Sequence, residues 1–218
     1  QSVSDGIVMG KAFVVKKEEI VADTYSISAD EIEEELSKYD KATKKVVDDL
    51  TGLSKVSDVF AAHIELVQDI SLVKAVKDLI SEGKNAQMAV QEVCNTFEAM
   101  FSSMEDEYMR ERAADIKDIK ERLLYALKGS NQNIFSGMTE PVIVVARELT
   151  PSDTVKMNLD LVLGFVTELG GVTSHVSIIA KNLGVPALVG VTGLMDAVKN
   201  EEFVILSASE NKLIIDPD

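Results

Sequence analysis

One switch in hydrophobic spacing governs what this chain can fold into. From about residue 30 to residue 128 apolar side chains recur at steps of three and four, the period of a helix face; on either side they come as short β-branched runs. In the first helical stretch Ile32, Leu36, Tyr39, Thr43, Val46 and Leu50 share one face, which ends near Gly52. Ser28-Ala29-Asp30-Glu31 ahead of it has a capping-box pattern, with Ser28 as N-cap and Glu31 reaching back to the cap amide. Further helices are expected over 55–69, over 71–82 and over 86–127, the last broken near Ser102-Ser103 because some 40 residues exceed an ordinary helix.

The flanks read differently. Residues 7–16 form one strand-like run, and Val142 to Val145, Leu161 to Val166, Ala187 to Val191, Phe203 to Leu206 and Lys212 to Ile215 are short apolar runs separated by helical segments. That alternation is the mark of an α/β domain. The expected architecture is therefore an α/β subdomain of residues 1–29 and 129–218, with an all-α helical bundle of residues 30–128 inserted into it.

Charge narrows the partners. Against 37 Asp and Glu the 218-residue chain has only 22 Lys and Arg, a formal charge of -15. Nucleic-acid binding needs clustered cations to displace counterions, so no nucleic acid is expected, and a basic protein surface is the better match. No apolar run reaches the roughly 18 to 20 residues of a membrane span, so no membrane partner is expected either. A single cysteine, Cys94, forms no intrachain disulfide, and the N-terminus lacks a basic-then-apolar secretory leader; a cytoplasmic location is expected. Starting at Gln1 and stopping at Asp218, the chain is expected to be a piece of something longer.

Two histidines restrict imidazole chemistry to two places. His175 closes Gly170-Gly171-Val172-Thr173-Ser174-His175, directly after an expected strand and at the head of a helix that Gly184 ends. Paired glycines allow a tight loop, and the unpaired amides of a first helical turn suit an anion. The partial positive charge there disfavours imidazolium by roughly 0.3 to 1 kcal/mol and would stabilise a phosphate carried on the ring. A neutral imidazole attacking phosphorus gives a phosphoramidate that passes its phosphoryl group onward; on spacing alone, a locally hydrogen-bonded histidine weighs about as much. Leu149-Thr150-Pro151-Ser152-Asp153 supplies a Thr N-cap, Pro at the first helical position and Asp at the third, after another strand. Loops after adjacent parallel strands converge at one sheet edge, which gives Thr150 a route to His175. His63, in Phe60-Ala61-Ala62-His63-Ile64-Glu65-Leu66, reads either as a partly buried helix histidine or as a partner-facing residue beside Glu65 and Asp69.

The segment Gly170 to Lys181, followed by Gly184-Val185-Pro186-Ala187-Leu188-Val189-Gly190, resembles the phosphohistidine signature of phosphoenolpyruvate-utilising phosphotransferases. Ser4 to Ala12, Phe60 to Ile64, Asp106-Glu107-Tyr108 with Glu111 to Ile116, and Leu149 to Asp153 are similar to Enzyme I of the bacterial sugar phosphotransferase system. The resemblance implies a swivelling α/β phosphohistidine subdomain and a helical subdomain that docks the phosphocarrier protein HPr. It makes His175 the phosphoryl acceptor and donor and Thr150 the threonine that orients the histidine or its phosphate. Gly170, Gly171, Thr173 and Ser174 become the phosphate loop, and His63, Glu65, Leu66, Asp69 and Leu72 the HPr-binding residues.

By the same resemblance phosphoenolpyruvate and Mg2+ belong to a C-terminal barrel that also dimerises. No cofactor or metal site is then expected in these 218 residues, which would be monomeric, while the full-length enzyme is a homodimer. The alternatives are the phosphohistidine domain of a dikinase-like enzyme and a catalytically retired HPr-binding module. Four positions depart from the pattern: Val172 stands where Arg is usual, Asp5 where Pro is usual, and Ile70 and Ser71 where acidic residues are usual.

Overall fold

The computed structural model describes residues 1–217 apart from 18, 56, 57, 131–133 and 173, and leaves out the side chains of residues 107, 108 and 111. The chain divides into two compact units, Gln1–Glu18 with Asn133–Asp218, and Glu19–Gln132.

The first unit is a seven-stranded mixed sheet. Its strands are β1 (Ser2–Ser4), β2 (Ile7–Val15), β3 (Val142–Ala146), β4 (Val162–Thr167), β5 (Ala187–Leu188), β6 (Phe203–Ser207) and β7 (Lys212–Ile215), in the order β1-β5-β4-β3-β2-β6-β7. β2, β3, β4 and β5 run parallel, whereas β1, β6 and β7 are antiparallel to their neighbours. Central β3 is buried at all five positions, Val-Ile-Val-Val-Ala, as a strand covered on both faces must be. Four short helices fill the connections: α6 (Pro151–Thr154), a 3-10 turn (Leu159–Leu161), α7 (His175–Leu183) and α8 (Leu194–Ala197). Val176 and Ala180 of α7 pack with Val142, Val144 and Ala146 on one face; Leu194 and Val198 pack with Ile143 and Val145 on the other.

The second unit supplies the remaining helices: α1 (Ile32–Leu53), α2 (Val59–Val67), α3 (Ile70–Ser81), α4 (Ala86–Ser102) and α5 (Glu107–Lys128). Its core joins Tyr39, Val46 and Leu50 of α1 to Phe60, Leu72, Ile80, Val90, Ile116 and Leu123. Each fully buried aliphatic or aromatic side chain of this kind contributes about 1.5 to 3 kcal/mol of transfer free energy.

Local differences from the sequence reading have local causes. α1 starts at Ile32, and only half of the expected capping box forms: the Glu31 carboxylate accepts from the Ser28 amide at 2.8 Å, but the Ser28 hydroxyl donates to that carboxylate at 2.7 Å instead of capping the helix. The break after Ser102 is present, and Asp106 caps α5 by accepting from the Met109 amide at 3.0 Å. Residues 19–29, expected in the α/β part, belong to the helical unit. Ala22 is buried in its core, the Gln91 side chain accepts from the Ala22 amide at 2.8 Å, and the Asn85 side chain donates to the Asp23 and Tyr25 carbonyls at 2.8 and 2.7 Å. β1, Ser-Val-Ser, buries only Val3 and is too short for its alternation to stand out in the sequence; it forms by pairing with β5.

Candidate functional site

The parallel strands set the geometry. Beyond their ends the β3–β4 ladder continues, with the Glu168 amide donating to the Ala146 carbonyl at 3.0 Å and the Leu169 amide to the Arg147 carbonyl at 2.8 Å. This pairing lays the segment before α6 beside the segment before α7 at the carboxyl edge of the sheet, where α/β folds hold their ligands.

His175 is the first residue of α7, behind the N-cap Ser174. Its Nε2 lies 3.1 Å from Thr154 Oγ1, and that hydroxyl is within donating distance of the Pro151 carbonyl at 2.8 Å. With its hydrogen on Pro151, the Thr154 oxygen presents a lone pair to the ring, and the pair is satisfied when Nε2 carries the hydrogen. The imidazole is partly exposed, whereas Thr154 is 2% exposed, so a buried anchor holds an accessible ring.

Thr150 does not occupy the role expected of it. Its hydroxyl accepts from the Asp153 amide at 3.3 Å while the Asp153 carboxylate accepts from the Thr150 amide at 2.9 Å, a complete capping box for α6. The threonine at the histidine is Thr154, four residues later and one turn further along, on the same side of the turn. The recurrence Thr150, Thr154 was the available signal, and it was missed because the cap pattern drew the reading to the first of the two. Lys17 braces α6 as well, with Nζ 3.3 and 3.2 Å from the two oxygens of Asp153, which is itself 3% exposed.

Gly170 has a φ of 102°, a conformation open to glycine and strained for other residues. Gly171 presents its carbonyl, which accepts from the Ser174 amide at 3.0 Å and from the Ser177 hydroxyl at 2.8 Å. Ser174 caps α7, its Oγ accepting from the Ser177 amide at 3.4 Å. Thr173 lies outside the described residues. Val172 is 42% exposed in the same turn and brings no charge to it.

The expected docking residues separate. Glu65 and Asp69 are exposed, the latter also capping α3 by accepting from the Ser71 and Leu72 amides at 2.9 and 3.0 Å; Leu66 is partly buried against the helical core. Leu72, 1% exposed, and His63, fully buried, are core residues, which corrects their assignment to a partner surface. His63 Nε2 is 3.1 Å from Asp115 Oδ1 and Nδ1 is 3.3 Å from Asp118 Oδ2. The Phe60 ring meets the imidazole edge-on at 5.9 Å, and the Arg122 guanidinium lies over that ring at 5.7 Å. His63 therefore pins α2 to α5. Among the described residues no group of three or more His, Cys, Asp or Glu is arranged to hold a metal ion, and no helix is long and apolar enough to cross a membrane.

Family comparisons agree with this layout. The model of the N-terminal region of PEP-utilising enzymes matches residues 1–112, and the model of their mobile domain matches residues 138–211. The chain belongs to the family of PEP-utilising enzymes. Over residues of both units it is 37% identical to the phosphoenolpyruvate-protein phosphotransferase of Buchnera aphidicola subsp. Schizaphis graminum and 36% identical to that of Bacillus subtilis, covering 98% of this chain each time and 39% of the relative. It thus spans about two fifths of the length of these relatives. Within the family its likeness is to the N-terminal part of Enzyme I: a solution structure of Enzyme I superposes with a TM-score of 0.76 at 34% identity, covering all of this chain and 92% of that one. The N-terminal domain of a nitrogen Enzyme 1, at 21% identity and a TM-score of 0.60, shares the fold.

Proposed function

We propose that this chain is the phosphoryl-carrier half of a phosphoenolpyruvate-protein phosphotransferase acting in sugar uptake. His175 accepts phosphate and passes it to a histidine of HPr, which docks on the helical unit. Phosphoenolpyruvate and Mg2+ are bound by the remainder of the full-length enzyme, which also forms the homodimer; the enzyme works in the cytoplasm. The observation that carries this reading is His175 itself, an accessible imidazole at the first position of a helix, held through Nε2 by a buried threonine hydroxyl. Phosphoryl transfer through Nε2 needs that nitrogen released from the bond and its hydrogen passed to Nδ1 through solvent, so that its lone pair meets phosphorus, and a neutral hydrogen bond of net worth about 1 kcal/mol is weak enough to be exchanged. Gly170, Gly171 and Ser174 shape the loop in front of the ring, and Thr154 replaces Thr150 as the orienting residue. Glu65 and Asp69 belong to the acidic docking face, opposite a basic partner.

Incubation with phospho-HPr followed by intact-mass measurement tests this. The expected result is a gain of one phosphate that is lost in acid and absent in His175→Ala. Phosphate retained by His175→Ala, or HPr binding with no phosphate gain by the unmodified chain, would overturn it.

A further inference from the structure

We propose that Ser177 is a positioning residue for His175, closing a ring of hydrogen bonds that holds the glycine turn against the first turn of α7. Ser177 is fully buried and lies two residues beyond the histidine, some 200° around the helix, so it does not face the reacting atoms. Its Oγ donates to the Gly171 carbonyl at 2.8 Å and lies 2.9 Å from the Ser174 Oγ, which in turn accepts from the Ser177 amide at 3.4 Å. One assignment satisfies every group. The Ser177 amide gives to Ser174 Oγ, the Ser174 hydroxyl to Ser177 Oγ, and the Ser177 hydroxyl to Gly171.

This ring ties together the two ends of the turn that delivers His175. Two described residues of the turn bring it little packing: a Cβ on Gly171 would meet nothing within 4 Å, and Val172 is 42% exposed. Gly170, just before it, adopts its φ of 102° without steric cost and so provides no restraint. A serine inside a helix gains nothing over alanine in propensity, and a buried hydroxyl costs free energy unless it is bonded. At 177 the hydroxyl is bonded on both sides, and what it fixes is the direction in which the helix presents its first side chain. The ring at His175 is then aimed at Thr154 before any partner arrives. A displacement of about 1 Å at a reacting centre costs on the order of a hundredfold in rate.

The kinetic consequence rests on the phosphoryl-carrier reading; the geometric one does not, and the test separates them. With two histidines in the chain, nitrogen-detected NMR of the imidazoles gives one reporter at the site and one, His63, in the other unit. Ser177→Ala is expected to reduce the Nε2–H signature of His175 and leave His63 unchanged. Phosphate exchange with phospho-HPr should slow about ten- to hundredfold, with the KM for phospho-HPr unaltered. Ser174→Ala should do the same, and the double variant no more than the worse single one, since both cut one ring. An unchanged His175 spectrum in Ser177→Ala would overturn the proposal. So would a slowed exchange in which both imidazoles shift, because that marks general loss of structure. If the unmodified chain takes no phosphate, the carrier reading fails while the imidazole spectra still decide the role of Ser177.

Discussion

Replacing His63 with alanine separates a core pin from a docking residue. The side chain is fully buried between the Asp115 and Asp118 carboxylates, and Asp118 is itself fully buried. Removing the imidazole leaves a cavity beside Phe60 and takes a hydrogen-bond partner from two carboxylates, Asp118 keeping Arg122 Nε at 3.6 Å, which together cost about 3 to 5 kcal/mol. The Phe60 edge contact goes with it. In a unit of this size each kcal/mol moves the midpoint by about 4 °C, so Tm should fall by about 12 to 20 °C. The assay is favoured by the composition: the chain has no Trp, and its four Tyr, at 25, 39, 108 and 125, all belong to the helical unit, so near-ultraviolet tyrosine dichroism follows that unit alone. Below the transition, HPr binding should be unchanged. A Tm within 2 °C of the unmodified chain together with weakened HPr binding would refute the buried-pin argument and restore His63 to the partner surface.

Thr154→Val, which keeps the shape and removes the oxygen, should alter the imidazole spectrum of His175 and slow phosphate exchange by about tenfold, whereas Thr150→Ala should cost about 1 kcal/mol of local stability through the cap and affect exchange less; single-turnover exchange with phospho-HPr distinguishes them. Burial pushes the Cys94 thiol up to about 12, and burial likewise raises Tyr39 to about 12. Both groups are protonated in the folded unit when the unfolded chain has begun to ionise, near 8.5 for the thiol and 10 for the phenol, so the stability present below pH 8 should be lost progressively toward pH 12. Tyrosine dichroism melts across that range check the slope, and Cys94→Ala should flatten its first part; a thermal midpoint that rises with pH would contradict the sign. HPr affinity should fall with added salt as the charges of Glu65, Asp69 and their surroundings are screened, which isothermal titration at low and high ionic strength measures directly.

Much of the site was legible because it is local. The glycine pair, the N-cap and the histidine lie within six consecutive residues, and each announces its backbone role by residue type: Gly170 by its positive φ, Ser174 by its cap, Gly184 by ending α7 in the left-handed region. The choice between Thr150 and Thr154 was not legible in the same way. Both are hydroxyl residues, one capping and one ending the same short helix, and which one meets His175 depends on how α6 is seated on the sheet, a matter decided by the Asp153 capping box and the ion pair with Lys17, two residues past the end of β2 and more than a hundred residues earlier. His63 shows the same limit from the other side. Its neighbours in sequence, Glu65 and Asp69, are exposed, yet α5 arrives from 52 residues away with two carboxylates and buries it.

By itself the sequence determined the switch from helical to strand periodicity, the interruption of one α/β sheet by a helical unit, and the loop that places His175 at a helix head, because propensity, capping and turn chemistry act within a few residues of the chain. Tertiary structure alone decided that β1 joins the sheet, that residues 19–29 belong with the helices, that Thr154 rather than Thr150 holds the histidine, and that His63 is part of the core. Those outcomes depend on burial and on hydrogen bonds between segments far apart in the sequence, and such partners exist only once the chain has closed around them.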